Sequence, residues 1–408
     1  MFSSLVDLMG EVVCRIRPSV HAGYQADPTK FGVSIRAVYD KLEHTEPGVS
    51  AALVAHTARK LAPVIQRLGG GLPPLLRDYR VRILDGNHLA GTEHRLKELR
   101  TLAAGALPGH TLAVLDAETM LVTAALCCED GHAQERAALP AILPLVAERD
   151  VWVADRNFCT TGFWSALVTR RAYGVIRHHA NLSWQPVSKR RHVGRGDTGR
   201  IYEQRVRIHV DSGKELGLRR ITVELDTPTR EGDTEIHILT NLPARVRAKA
   251  LARLYQKRWT IEKAFQELTV ALKCEVNTLA YPKAALFGFC VALLAFNVLS
   301  VVKAALRAAH GVEKIEDVLS TYYLADEIAG TYRGMMIAIP EKSWKVFATM
   351  TPAQFANVLK ELAAKVDLAK LKKHPRGPKK PQVPRRRSRR VTHVATARIL
   401  AERAGASK

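Results

Sequence analysis

No Cys-x2-Cys pair occurs in the sequence. The six cysteines (Cys14, Cys127, Cys128, Cys159, Cys274 and Cys290) follow no regular spacing. That argues against a zinc ribbon or a disulfide framework and predicts reduced thiols in a cytoplasmic protein. The GxxxxGK[ST] phosphate loop and the GxSxG elbow are missing, so neither an ATPase nor a serine hydrolase is indicated. The opening MFSSLVDLMGEVVCRIRP has no basic n-region and no small-residue cleavage site, which predicts no signal peptide. Internal repeats are absent. Acids are scarce: 39 Asp and Glu stand against 62 Lys and Arg, a formal charge of +23 over 408 residues. This balance predicts a polyanionic partner, either nucleic acid or an anionic membrane surface.

One run, AALFGFCVALLAFNVLSVV at 284–302, is long enough to cross a bilayer. Gly288, Asn297 and Ser300 interrupt it, and it stands alone, so the reading is a buried core helix with no membrane partner. Residues 1–75 read as a helical region. Ser34 caps a run with Ile35, Val38, Tyr39 and Leu42 at helical spacing, and a second helix is expected from Ser50. Such a pair suits either a helix-turn-helix-like DNA reader or an ordinary bundle. GGGLPP at 69–74 breaks the pattern. Strands follow at 79–84, 112–117, 119–126 and 151–154, with a proline-split helix over 132–148. A helix at 160–171 and a strand at 173–177 come next. This order predicts an α/β fold with a mixed sheet over 76–310. Within it, 180–241 reads as a β-rich insertion, and long helices are expected at 244–275 and 283–308. A helical region at 311–368 and a basic, extended and largely disordered tail at 369–408 complete the chain.

Three carboxylates sit where chemistry is plausible. Asp85 in RILDGNHL and Asp155 in VWVADRNF each follow an apolar strand, where α/β proteins place ligands. An Asp in a turn or helix cap gives the same local pattern. The third, Glu262, lies in LYQKRWTIEKAF among Lys257, Arg258 and Lys263, with Tyr255, Trp259 and Phe265 interleaved. On one continuous helix, Tyr255, Arg258 and Glu262 fall within about 60° of one another, and Ile261, Phe265, Leu268 and Leu272 form a separate apolar stripe. A solvated Arg258–Glu262 pair is the plainer alternative. Converging acids under a basic surface suit phosphodiester chemistry, because two Mg²⁺ ions activate the attacking oxygen and stabilise the leaving one. His88 and His94 read as surface residues, and Asp116, Glu129 and Asp130 as turn or helix-entry acids, with Asp116 the first substitute for Asp85.

These residues resemble the DDE transposases of bacterial insertion sequences, specifically the cut-and-paste "insertion sequence four" group, over about residues 30 to 400. Tyr255, Arg258 and Glu262 match the Y-x2-R-x3-E motif, and DGN at Asp85 and DRNF at Asp155 look like the first two catalytic motifs. ILTNLP at 238–243 and the strand-rich insertion add to the likeness. The resemblance implies an RNase H-like core with Asp85, Asp155 and Glu262 as catalytic ligands of two Mg²⁺ ions, for which Mn²⁺ can substitute. Tyr255 and Arg258, with Lys257 and Trp259 beside them, would contact DNA. It also implies endonuclease and strand-transfer activity on terminal inverted repeats and target DNA, with the N-terminal region binding the repeats. A homodimer would pair two ends, and the protein would associate with the nucleoid. The motif's later Lys is Thr269 here, and Lys273, one turn on, is the candidate replacement. That departure leaves a degenerate or domesticated DNA-binding transposase as the alternative. A peripheral membrane protein built on 284–302 and the basic tail is the third reading.

Overall fold

A computed structural model describes residues 2–93, 95–102, 104–210, 213, 215–229, 232–374 and 393–406. Four helices open the chain: α1 Phe2–Val13, α2 Val20–Ala26, α3 Ile35–Glu43 and α4 Pro47–Leu68. Ser34 caps α3, its hydroxyl accepting from the Ala37 amide at 3.3 Å. α4 begins before Ser50 because Pro47 takes its first turn, where no N–H is needed.

The breaker leads into β1 Arg80–His88, β2 Gly105–Leu107 and the hairpin β3 His110–Asp116 and β4 Leu121–Cys128. Pro140 and Pro144 split the next segment into a 3-10 turn at 135–138, the single turn α5 Leu139–Ile142 and another 3-10 turn at 143–145. β5 Asp150–Ala154, α6 Thr161–Thr169 and β6 Tyr173–Arg177 follow. Then come β7 Trp184–Pro186, β8 Arg191–Arg195, β9 Gly199–His209, β10 Glu215–Leu225 and β11 Glu235–Thr240.

All of these strands but β2 form one ten-stranded sheet in the order β4-β3-β1-β5-β6-β11-β10-β9-β7, with β8 on β9. β1, β5 and β6 are parallel neighbours, and the other pairings are antiparallel. The segment read as an insertion thus continues the main sheet through β11 on β6. Alternation sorts the strand residues onto two faces. Val81, Ile83, Val151 and Val153 pack under the helices, whereas Leu84, Trp152 and Ala154 face α5 and α6.

The helices above the first face include α7 Ala248–Gln256, α8 Trp259–Ala271 and the long α9 Pro282–His310. Most of α9 is buried, and 78% of its most apolar window lies inside the protein. α4 packs on both α9 and β4, and α1 and α3 also touch α9. The single helix expected over 244–275 is two helices. Across the junction the backbone tightens, with Arg258 N bonding Tyr255 O at 3.0 Å and Thr260 N bonding Lys257 O at 2.8 Å.

α10 Val312–Val318, α11 Thr321–Ala338, α12 Lys345–Thr349 and α13 Pro352–Ala364 follow. Thr351 and Gln354 close a capping box on α13. The basic tail expected over 369–408 is not extended throughout. Residues 375–392 lie outside the described residues, but β12 His393–Ala395 pairs in parallel with β2 and leads into α14 Thr396–Ala406. Ile399 and Leu400 of α14 pack on Leu96, Leu99 and Ala106, apolar anchors that a charge-based reading overlooks.

Candidate active site

The parallel pairing of β1 with β5 ends on the Leu84–Ala154 rung. Asp85 and Asp155 are the residues that follow that rung, Asp85 within β1 and Asp155 just beyond β5. Each shares the parity of the valines and isoleucine that pack under the helices, so both start from the α7–α9 side of the sheet. Asp85 was expected at a strand end. β1 instead runs on to His88 against β3, with Asp85 opposite Ala113, so it is an end only on its β5 side.

The α7–α8 junction brings the rest. Arg258 Nη1 donates to Asp85 Oδ2 at 2.9 Å and forms an ion pair with Glu262 Oε1 at 2.7 Å. The plainer reading of an Arg258–Glu262 pair is therefore present, but the same nitrogen also ties Glu262 to the sheet. Tyr255 OH donates to Asp155 Oδ1 at 3.3 Å. The Asp85 and Arg258 side chains are 15% and 11% exposed, against 48% for Glu262, so the cluster opens to solvent on the Glu262 side. Glu262 lies in the first turn of α8, where the helix dipole favours a carboxylate.

Burial pushes Asp85 up to about 7; Arg258 opposes the shift, and the charges of Glu262 and Asp155 add to it. Burial, reinforced by Asp155, raises the Tyr255 phenol well above its ordinary range. Burial works against the Arg258 charge, but Asp85, Tyr255, Glu262 and Asp155 outweigh it. Arg258 Nε is buried and has no hydrogen-bond partner among the described residues.

Among the described residues, no three of His, Cys, Asp and Glu are gathered closely enough to form a ready-made metal cage. The chemistry of the donor set nevertheless fits a hard divalent ion, because the three groups are carboxylates. The Arg258 guanidinium is a stand-in cation between Asp85 and Glu262.

Other expected site residues are placed differently. Lys257 and Trp259 are exposed at the α7–α8 junction, Trp259 by 52%. Lys273, the candidate replacement for the motif lysine, donates from its Nζ to Pro18 O at 2.7 Å. Thr269 spends its hydroxyl on Phe265 O at 3.1 Å. A cation that the sequence did not flag, Arg15, reaches the Thr269 carbonyl at 3.4 Å from the end of α1. Asp116 is occupied structurally. Its Oδ2 accepts from Arg82 at 2.8 Å and its Oδ1 from the Thr119 amide at 2.9 Å. Asp130 pairs with Arg398 of α14 at 2.6 Å. His94 lies outside the described residues.

Beside Asp155 the sheet opens into a basic pocket of about 480 Å³, lined by Arg156, Arg177, His178, Trp184, Arg220 and His237 among others. Arg220 lies over the Trp184 ring, 4.6 Å from its centroid. Arg177 pairs with Asp233 at 2.6 Å and also feels the charges of Tyr255 and Asp155, which links the pocket to the acids. The three arginines are scattered along the chain from 156 to 220, so no local motif announces them.

The family model for the transposase DDE domain matches residues 76–298, which include all three acids. A protein of Sinorhizobium fredii that carries a transposase name is 34% identical over 126 residues, 30% of this chain and 34% of that protein. The alignment spans about a third of that relative's length.

Proposed function

The chain belongs to the transposase DDE-domain family, and from that premise we propose that it is a cut-and-paste transposase of the insertion sequence four group. Its activity would be metal-dependent cleavage and strand transfer at the ends of a DNA element. The observation that carries this reading is the convergence of Asp85, Asp155 and Glu262 through the Leu84–Ala154 rung and Arg258. The sheet order β4-β3-β1-β5-β6, with its antiparallel hairpin and parallel centre, supports an RNase H-like core.

Asp85, Asp155 and Glu262 would hold two Mg²⁺ ions, with Mn²⁺ able to substitute. Such ions activate the attacking oxygen of a phosphodiester and stabilise the leaving one. The chain's own residues orient the DNA. Arg258, released from its carboxylates, offers a fork of donors to a phosphate. Tyr255 fixes the rotamer of Asp155, and exposed Lys257 and Trp259 border the cleft. The basic pocket beside Asp155 extends the phosphate-binding surface. Residues 1–75 would bind terminal inverted repeats, 76–310 would act as catalytic core and 311–368 would complete the fold. A homodimer in the bacterial cytoplasm, associated with the nucleoid, would bring two ends and a target DNA together.

Asp85→Asn tests the assignment. It should abolish Mg²⁺-dependent cleavage of the terminal repeats, read on gels of labelled ends, and leave DNA binding largely intact. Full cleavage by this variant refutes the site. Thr269, with Lys273 turned to Pro18, favours one second reading: a transposase-derived protein that holds DNA without cutting it. Tight end binding with no cleavage in either Mg²⁺ or Mn²⁺ would establish that alternative.

A further inference from the structure

A fourth carboxylate lies on the opposite, α5–α6 face of the sheet from the three acids, held by the residues that follow two of them. Glu135 opens the 3-10 turn at 135–138, which packs on β3 and on the turn after Asp155. Its Oε2 accepts from the Asn157 side-chain amide at 2.9 Å, and its Oε1 lies 3.5 Å from His88 Nε2. Asn157 is two residues beyond Asp155, and His88 is three beyond Asp85. The Glu135 side chain is 17% exposed and crosses the backbone of Gly86, where a methyl group would collide with its carboxylate. Gly86 therefore leaves room for Glu135, and Glu135 touches both aspartate-bearing segments at once.

We propose that Glu135 is a positioning residue, a strut that joins the Asp85 segment to the Asp155 segment and sets the separation at which the two aspartates share a divalent cation. This rests on the reading of Asp85 and Asp155 as metal ligands. Three features support it. The contacts come from both segments, so moving either aspartate strand shears the strut. The carboxylate is mostly buried, with Asn157 hydrogen-bonded to one oxygen and His88 close to the other, which limits its rotamer. The parallel ladder between β1 and β5 stops at Leu84–Ala154, so beyond that rung the ladder no longer holds the two segments in register. Groups that orient metal ligands from behind typically change metal affinity about 10–100-fold when removed.

The test uses the full chain. Glu135→Ala should bind Mn²⁺ about tenfold more weakly by isothermal titration calorimetry. End cleavage should need correspondingly more Mn²⁺, while DNA binding in EDTA stays at the parental level. Glu135→Gln keeps an acceptor for Asn157 and should recover most of the affinity. Gly86→Ala expels the carboxylate while Glu135 remains in the chain. It should match Glu135→Ala, and the double variant should be no worse than either single one, the non-additivity expected of a shared contact. Gly86→Ala, in which only a flexible side-chain end must move, gives a result even if Glu135→Ala fails to fold. Parental Mn²⁺ affinity in either variant, or additive losses in the pair, overturns the strut. Asp85→Asn separates the two failures. If it abolishes Mn²⁺ binding while Glu135→Ala does not, only the strut falls. If Asp85→Asn also binds as the parent does, the metal-site reading falls and the strut with it.

Discussion

Arg258 places one nitrogen between two carboxylates and has a second, Nε, buried with no partner among the described residues. Its charge offsets the repulsion between Asp85 and Glu262. Arg258→Ala should therefore lower the stability of the protein in EDTA by about 1–3 kcal/mol, the usual cost of stranding buried polar groups. Mn²⁺ should restore much of the loss, because an added cation takes over the neutralising role. Thermal unfolding with and without Mn²⁺ reads both effects, and an equal deficit in the two conditions contradicts the stand-in role. His237 is a second residue with a defined signature. Burial first, and then the Arg220 charge, pull its imidazole down to about 4. The folded protein thus binds fewer protons than the unfolded chain between that value and the ordinary histidine range of about 6.5. Stability should rise with pH across that window and be lost as pH falls from about 6.5 to about 4. His237→Gln should flatten this part of a pH series of unfolding midpoints.

At the scale of elements, α9 does more than fill the core. Asn297, fully buried on that helix, accepts from Val122 N at 2.7 Å and donates to Val122 O at 2.9 Å. It serves β4 as a neighbouring strand would, at the edge where the sheet has no further partner. Asn297→Leu strands both backbone groups and should cost about 2–6 kcal/mol, at roughly 1–3 kcal/mol per buried unsatisfied group; denaturant titration gives the value. The same residue shows how much could be read beforehand. As an interruption in an apolar run it argued for a core helix, and the helix is there, but its partner 175 residues away leaves no mark in local spacing. Strand alternation at Val81, Ile83, Val151 and Val153 was legible because period two is a local property. The break at Lys257–Arg258 was not, because residues 254–265 carry no proline or glycine and the interruption coincides with a contact from Arg258 to β1. The convergence of Tyr255, Arg258 and Glu262 was expected from one helical face, and it arises instead across a helix junction. Glu135 and the basic pocket were invisible for the same reason as Val122: their partners are distant in sequence.

At the scale of the molecule, a single sheet runs from the hairpin at β4 to the strand-rich region at β7, so the basic pocket and the acids share one continuous scaffold. With a formal charge of +23, affinity for random duplex DNA should fall by about 10³-fold between about 50 and 200 mM salt, as counterion release requires. Fluorescence anisotropy across a salt series measures this, and a flat response would count against phosphate gripping. The shared scaffold also bears on how such a chain can change over time. Asp85 and Asp155 are one step past the same rung of a ladder whose side chains alternate. Loops between the strands can lengthen without moving either aspartate. Losing one residue inside β1 or β5 would turn its aspartate to the opposite face, under α5 and α6. The strand lengths before the two aspartates act as a ruler, and insertions and deletions should be tolerated between the strands but not within them.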